Sequence, residues 1–338
     1  MKKRRVTIND IAQELNVSKT LVSMVLNGKG DDNAINKETQ KKVLDKAKEL
    51  NYKPNQVARG LRTGTTKTIG LIVADISNPF FARITRTIEN YAEKAGYNII
   101  VCSSDENDDK ENALLRTLIN RQVDGIIMSS TQQDTSKIEE IVSDRMPLVL
   151  FDRKFENAKY SSVTVDNCEA TRSAIDHFVS NGHKNIGFIT LAPSHISPLI
   201  DRKRGFIQAM EEQNLTIDSE NILELGFYDL KDKQYYQIKD FIEKHQDLTA
   251  VFTANNSIVV GCMEAMNNLG RSIPEDLSII TFDDVELFKY TNPPLSSIAQ
   301  PLEDIGKNSV SILLNQLKND NTETQHIVLN TTLNIRQS

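Results

Sequence analysis

The sequence lacks the features of membrane, secreted and metal-binding proteins. No apolar run approaches the roughly 18 residues that cross a bilayer, and the basic start MKKRRV leads into polar residues where a signal peptide has an apolar core. The three cysteines, Cys102, Cys168 and Cys262, lie far apart, which favours free thiols in a reducing compartment. The five histidines form no ligand pattern. We therefore expect a cytoplasmic protein with no metal site and no contact with a membrane.

The signatures of common enzyme classes are also missing. The chain has neither a Walker loop nor a GxSxG motif, and Gly28 and Gly30 lack the third glycine of a dinucleotide-binding GxGxxG. We therefore expect no catalytic residues and no cofactor. Two alternatives stay open at this point. A sugar- or nucleotide-processing enzyme would turn over candidate sugars, and a pure sugar receptor would have a signal peptide and no use for a basic first part.

Charge is distributed unevenly along a chain of otherwise ordinary globular composition. With 338 residues, of which 39% are hydrophobic and 25% charged, two or three folding units are expected. The net charge is −6, but residues 1–66 carry 14 Lys and Arg against 7 Asp and Glu, whereas the remainder carries 26 against 39. This split indicates that one small unit meets a polyanion and that the rest of the chain has another task.

The basic part contains a pattern typical of a helix-turn-helix. Residues 7–28, TINDIAQELNVSKTLVSMVLNG, read as two short helices joined by a tight turn at Asn16. Thr7 can cap the first helix, Ser18 can cap the second, and Gly28 follows the end of the second. A third helix, 37–50, follows a polar loop, and its apolar residues can close a core over the first two. These are Val43, Leu44, Ala47 and Leu50.

The second helix has an apolar face and a polar one. Val22, Val25 and Leu26 point one way. Small polar groups, a cation and one apolar side chain on the other face suit a helix in the major groove, where they meet base edges and thymine methyl groups. A small three-helix domain without DNA is the alternative. Together with the two caps, the predicted DNA contacts of this motif are Thr7, Ser18, Lys19, Thr20, Ser23, Met24 and Asn27.

A weak helix is predicted between the first part and the rest. Pro54 breaks one helix and can begin another, but the two turns that follow are unstable alone in water and need a surface to dock on. Arg59 and Arg62 flank Leu61, a pattern that matches minor-groove binding with an apolar wedge at a base step. An inert linker is the alternative. The candidate contacts are Asn55, Ala58, Arg59 and Leu61.

From residue 67 onward, apolar runs alternate with helical stretches. The runs fall at 68–74, 98–102, 125–128 and 148–151, and then at 186–190, 250–252 and 277–282, with amphipathic helices such as 82–95 and 171–181 between them. Repeated βαβ units of this kind predict mostly parallel sheets, and two series predict two doubly wound lobes.

Several segments of the chain resemble the LacI/GalR family of transcriptional regulators. The likeness begins with VTINDIAQELNVSKTLVSMVLNG and YKPNQVARGLRTGTTKTIGLIVADISNPFF, and continues through VDGIIM, NGHKNIGFI, DRKRGF and TFDD. The resemblance implies an all-α helix-turn-helix domain followed by a two-lobed α/β domain like a type I periplasmic binding protein. It also implies a homodimer that binds double-stranded operator DNA and acts as a repressor controlled by a small-molecule effector.

The resemblance also implies the domain boundaries. They are a DNA-binding domain at 1–54, a hinge at 55–67 and an effector-binding and dimerisation domain at 68–338, with lobe 1 at about 68–165 and 296–326 and lobe 2 at about 166–295 and 327–338.

Polar and aromatic residues that follow the predicted strands indicate a ligand site, because ligands of open α/β sheets collect beyond the carboxyl ends of the strands. Those residues include Ser77, Phe81, Asp152, Arg153, Asn255 and Asp283. Carboxylates, amides and an arginine beside an aromatic ring suit a polyhydroxylated ligand and favour a sugar over a purine. The resemblance adds Arg202 and Tyr228 as effector-binding residues, and it places Asn256 where the family usually has Asp.

Overall fold

The structure is a computed structural model that describes residues 6–53, 64–143, 145–156, 159–192, 195–226, 231–319 and 323–338. The chain divides into two compact units, Met1–Thr66 and Lys67–Ser338. The candidate hinge residues Asn55, Ala58, Arg59 and Leu61, and the candidate effector residue Tyr228, lie outside the described residues.

Three helices form the described part of the first unit: α1 (Ile8–Glu14), α2 (Lys19–Leu26) and α3 (Lys37–Glu49). Ser18 Oγ accepts a 3.1 Å hydrogen bond from the Leu21 amide and so caps α2. At the start of α1 the Asp10 carboxylate accepts from the backbone amide and the hydroxyl of Thr7, at 2.7 and 2.8 Å. Asn16 has a φ of 51°, the left-handed conformation that turns the chain between α1 and α2.

The core of this unit is built from two buried residues on each helix. Ile11, Val22 and Val43 are fully buried against one another. The prediction that Leu44 belongs to this core is wrong, because its side chain is 51% exposed. Val43 and Ala47, one helical turn apart, already fill the inner face of α3, and Leu44 lies about 100° further round the helix.

Two six-stranded sheets form the second unit, and the predicted doubly wound architecture is confirmed. The strands are β1 (Thr68–Val73), β2 (Asn98–Ser103), β3 (Gly125–Met128), β4 (Leu148–Phe151), β5 (Ser161–Val165), β6 (Ile186–Ala192), β7 (Ile222–Gly226), β8 (Ala250–Thr253), β9 (Ser278–Phe282), β10 (Ser296–Ala299), β11 (His326–Leu329) and β12 (Thr332–Asn334). Their order is β11-β5-β4-β3-β1-β2 in the first sheet and β12-β10-β9-β8-β6-β7 in the second. All pairs are parallel except β10 with β12.

Helices cover these sheets, as βαβ connections require. They are α4 (Pro79–Lys94), α5 (Asp108–Asn120), α6 (Ser136–Ile141), α7 (Asn167–Ser180), α8 (Ser197–Glu212), α9 (Lys231–Lys244), α10 (Asn256–Asn268) and α11 (Leu302–Gln316). Both faces of the sheets are covered, so inner strands can be apolar on both sides, and β3, β4 and β8 are buried along their whole length. No helix in the described part of the chain is long and apolar enough to cross a membrane.

The chain crosses between the two lobes after β5, after β10 and after β11. The second and third crossings differ by a few residues from the predicted lobe boundaries at 296 and 327. Strand β10 pairs with β9, with Ser296 opposite Ile280, and so belongs to the second lobe, whereas β11 pairs with β5 in the first. Pro293-Pro294 marks a turn before β10, and the crossing itself follows that strand.

Candidate functional site

The outer face of α2 is the candidate DNA-binding surface. Lys19, Thr20 and Asn27 are exposed, whereas Ser23 and Met24 are half-buried. The Asn27 side-chain amide donates a 2.6 Å hydrogen bond to the Ser23 carbonyl, so it lies along the helix. The face therefore offers hydroxyl and amide groups around one thioether, a set suited to reading base edges, and the Lys19 ammonium at its start can reach a phosphate.

Lysines on α3 are partly engaged within the same unit. Lys37 pairs with Asp31 at 2.7 Å, and Lys42 pairs with Glu38 at 2.8 Å. Exposed pairs of this kind are weak and salt-sensitive, so they do not prevent either lysine from turning towards a phosphate.

The second candidate site is a cleft between the two lobes, at the carboxyl ends of the strands. Asp152 and Arg153 follow β4, Asn255 follows β8, and Asp283 follows β9. Helix α8 adds Arg202. One cavity of about 70 Å³ is lined by all of these residues and by Phe81, together with Asn78, Phe80, Glu106, Leu191, Ile196, Pro198, Leu199 and Gln300.

Arg202 is fixed on the floor of this cleft. Its Nε donates to Asn167 Oδ1 at 2.9 Å and its Nη1 to the Ala254 carbonyl at 2.7 Å. The guanidinium lies 3.4 Å from the centroid of the Phe282 ring, and only 4% of the residue is exposed. A buried arginine held by two hydrogen bonds and an aromatic face is preorganised to donate to a ligand.

Two buried carboxyl groups lie near Arg202. Asp152 and Asp283 have φ values of 64° and 71°, a left-handed conformation that is uncommon outside glycine and concentrates at functional sites. Burial raises the pKa of Asp152 to about 6, against the opposing effect of Arg153 and Arg202. Burial also raises the pKa of Asp283, although Arg202 and a 2.7 Å hydrogen bond from Gln300 act in the opposite direction.

Arg153 is paired with a carboxylate from the loop after β2. Its two terminal nitrogens donate to the two oxygens of Glu106 at 2.7 and 2.6 Å, and one of them also donates to the Ser130 carbonyl at 3.2 Å. The guanidinium carbon is 5.9 Å from the centroid of the Phe81 ring. Within the described part of the chain, the buried Nε of Arg153 has no hydrogen-bond partner.

Two of the predicted effector residues are engaged in local structure. Ser77 is exposed, its amide and hydroxyl both bond to Asp75, and it is not among the residues that line the cavity. Asn255 lines the cavity, but its side-chain oxygen caps α10 by accepting from the amides of Ser257 and Ile258, both at 3.0 Å.

Sequence reasoning did not find Gln300 or Ile196. Gln300 directly follows β10, so the rule that ligand-binding residues follow strands would have found it had this strand been expected. Ile196 precedes α8 and carries no such signal.

The lobes are in direct contact across the cleft. Asn256 Nδ2 donates to Asn78 Oδ1 at 3.0 Å, and Arg83 Nη1 donates to the Asp284 carbonyl at 3.0 Å. The cavity of about 70 Å³ is much smaller than the roughly 300 Å³ at the lower end of ligand pockets. A ligand the size of a sugar therefore requires the lobes to move apart.

A larger recess of about 760 Å³ lies beside the cleft and shares Arg153 and Ile196 with it. Its floor includes strand β5 and the edge strand β11, through Ser162, Thr164 and His326. Volume alone favours this recess. The cleft is the candidate effector site because the buried, oppositely charged groups converge there.

A helix-turn-helix and a two-lobed receptor in one chain define a DNA-binding regulator controlled by a small molecule. Residues 7–55 match the family described as bacterial regulatory proteins, lacI family, and residues 175–338 match the periplasmic binding protein-like domain.

Relatives extend this match over the whole chain. Catabolite control protein A of Priestia megaterium is 34% identical over 98% of this chain and 99% of its own length. The ribose operon repressor of Halalkalibacterium halodurans is 32% identical over 98% and 96%. A LacI-type regulator from Alkaliphilus metalliredigens QYMF, solved in complex with D-xylulofuranose, has a TM-score of 0.71 and 27% identity over 80% of this chain and 98% of its own. The chain belongs to the lacI family of bacterial regulatory proteins, and it is a DNA-binding transcriptional regulator that responds to a small-molecule effector.

Proposed function

We propose that the chain is a cytoplasmic repressor that works as a homodimer and responds to a sugar. The observation that carries the effector assignment is the convergence of Arg202, Asp152 and Asp283 in one buried cleft. Guanidinium groups donate to sugar hydroxyls, and buried carboxylates accept from them.

Of the residues expected from the sequence, we propose that Phe81, Asp152, Arg153, Arg202, Tyr228, Asn255 and Asp283 bind the effector, whereas Ser77, which bonds to Asp75 outside the cavity, would reach it only after the lobes move. Phe81 supplies an aromatic face for the sugar ring. A sugar is favoured over a purine because the cleft brings several charged hydrogen-bonding groups together beside few aromatic rings. Two similar proteins support a sugar: one is named a ribose operon repressor, and another was solved with D-xylulofuranose.

On the DNA side, we propose that each copy of α2 enters the major groove of one half of a near-palindromic operator. The contacts come from Thr7, Ser18, Lys19, Thr20, Ser23, Met24 and Asn27. The hinge at 55–67 supplies Asn55, Ala58, Arg59 and Leu61 to the minor groove between the half-sites. The domain boundaries are those expected from the sequence, with the lobe crossings placed after β10 and β11.

The effector acts by changing how the lobes meet. A sugar entering the cleft displaces cross-lobe contacts such as that between Asn78 and Asn256 and replaces them with its own. The resulting rotation of one lobe changes the spacing of the two hinge segments in the dimer, and with it the affinity for the operator.

A thermal-shift screen of sugars and purines with the wild-type chain and Arg202→Ala tests this proposal. We expect a sugar to raise the melting temperature of the wild-type chain, and we expect Arg202→Ala to abolish that rise. A purine hit would contradict the ligand class. A sugar hit that survives Arg202→Ala unchanged would contradict the site.

A further inference from the structure

Glu106 holds the position that an anionic ligand group would take at Arg153. Its two carboxylate oxygens lie in the fork of the guanidinium, at 2.7 and 2.6 Å from the two terminal nitrogens. This bidentate arrangement is the one by which arginine binds carboxylates and phosphates in ligands. Glu106 lines the cleft cavity, and its carboxylate already occupies the guanidinium fork of Arg153 that would bind an anion.

The position of Glu106 is set by the loop that follows β2. Asp105 and Glu106 both have positive φ, 52° and 55°, and the Glu106 amide donates to the Ala74 carbonyl at 3.1 Å. The loop is thereby tied to the end of β1 at the edge of the cleft. Residues other than glycine adopt this backbone where the surrounding structure fixes it.

Once Arg153 is paired, the remaining charges in the cleft disfavour an anion. Three carboxyl groups, on Glu106, Asp152 and Asp283, face two guanidinium groups, on Arg153 and Arg202. An anionic ligand either displaces Glu106 and leaves its carboxylate unpaired in a largely buried site, or binds beside Asp152 and Asp283. Both courses place like charges together at low dielectric, which is unfavourable.

We propose that Glu106 is a specificity-determining residue that restricts the effector to uncharged sugars and rejects sugar phosphates and sugar acids. This inference rests on the proposed function, since it specifies the class of sugar bound in the same cleft. The hydroxyls of an uncharged sugar donate to the two aspartates and accept from Arg202, while the Arg153–Glu106 pair stays intact.

Isothermal titration of the full-length chain tests the proposal with D-ribose, D-xylose, D-glucose, D-galactose and D-fructose, each beside its monophosphate and its sugar acid. We expect at least one neutral sugar to bind, and its charged forms to bind at least about tenfold more weakly. Glu106→Gln keeps the shape of the side chain and removes its charge. In this variant we expect the ratio between the affinities for the neutral sugar and for its charged forms to fall by about tenfold.

Asp105→Asn is the matched control, because it removes the same charge from the neighbouring residue. Asp105 is exposed, accepts from Ser103 Oγ at 2.6 Å and pairs with Lys110 outside the cavity. We expect Asp105→Asn to show the same ratio of affinities for neutral and charged sugars as the wild-type chain.

Three outcomes would overturn the inference or what it rests on. The role of Glu106 is overturned if a charged form binds the wild-type chain as tightly as its neutral parent does. It is also overturned if the ratio of neutral to charged affinities is unchanged in Glu106→Gln. In both cases the proposal of a sugar effector still stands. If neither the sugars nor their charged forms bind, both the role of Glu106 and the proposal of a sugar effector are overturned. If Glu106→Gln does not fold, the comparison of neutral and charged forms on the wild-type chain decides alone.

Discussion

Asn256 at the start of α10 donates a 3.0 Å hydrogen bond to Asn78 at the start of α4, and this bond joins the two lobes. Asn78 Oδ1 also accepts from the Phe80 amide at 3.0 Å, so the cap of α4 and the cross-lobe bond share one oxygen. Contact between the lobes is therefore coupled to the start of the helix that carries Phe81.

Replacing Asn256 should loosen this contact. A hydrogen bond of this kind contributes about 1 kcal/mol, so Asn256→Ala should shift the opening equilibrium of the cleft by about fivefold. Hydrogen exchange followed by mass spectrometry should show faster exchange at residues 78–81. Asn268→Ala, at the other end of the same helix, removes a bond to Tyr235 and should leave residues 78–81 unchanged. Equal exchange in both variants would show that the bond does not hold the lobes.

Asp152 should make the stability of the chain depend on pH. Its pKa is raised from 3.8 to about 6 by burial, and the charged groups that face it are Arg153, Arg202, Asp283 and Glu106. Because the folded state holds the proton more tightly than the unfolded chain does, stability falls as the pH rises between these two values.

Asp152→Asn removes this dependence. Between about pH 4.5 and 7.5, its free energy of unfolding in urea should rise relative to wild type by about 2 kcal/mol. Asp247→Asn changes an exposed carboxyl and serves as the control. If the difference in free energy of unfolding between Asp152→Asn and the wild-type chain stays constant over this pH range, Asp152 is not a buried carboxyl group with a raised pKa.

Much of the fold was predictable because its inner strands are continuous apolar runs. Strands β1, β2, β3, β4, β6, β8 and β9 were expected from the sequence. Strand β5, SSVTV, was missed although it is buried along its whole length, because serine and threonine there resemble a loop. Strand β10, SSIA, was missed for the same reason, and Gln300 with it.

The residue pattern alone predicted the candidate site best where a residue follows a strand directly, whereas Arg202, on a helix, was expected from the family resemblance. Asp152 and Asp283 follow β4 and β9 and lie together in the cleft. The pairing of Arg153 with Glu106 joins residues 47 positions apart, and it depends on loop conformations that no local pattern specifies. Ser77 follows β1 but turns back to Asp75, since a short aspartate turn competes with a position facing the cleft.

Lys19 is expected to contribute to DNA affinity without contributing to sequence choice. It is exposed at the start of α2, where an ammonium group can reach a phosphate. Lys19→Ala should weaken binding to every duplex and lower the slope of log affinity against log salt by about one. Fluorescence anisotropy over a salt series measures this slope. Lys289→Ala, exposed in the second unit, should leave it unchanged, and an equal loss in both variants would contradict a specific role for Lys19.

If one chain couples sugar binding to operator binding, each ligand must change the affinity for the other, and measuring both changes tests this coupling most directly. A duplex selected from a random pool by the full-length chain provides the operator, and titration gives its affinity with and without the sugar found by thermal shift. The sugar affinity is then measured with and without the operator. We predict that both affinities change by the same factor, at least about fivefold, because coupling between two sites is reciprocal. Operator affinity that is unchanged at saturating sugar would show that the two sites are not coupled.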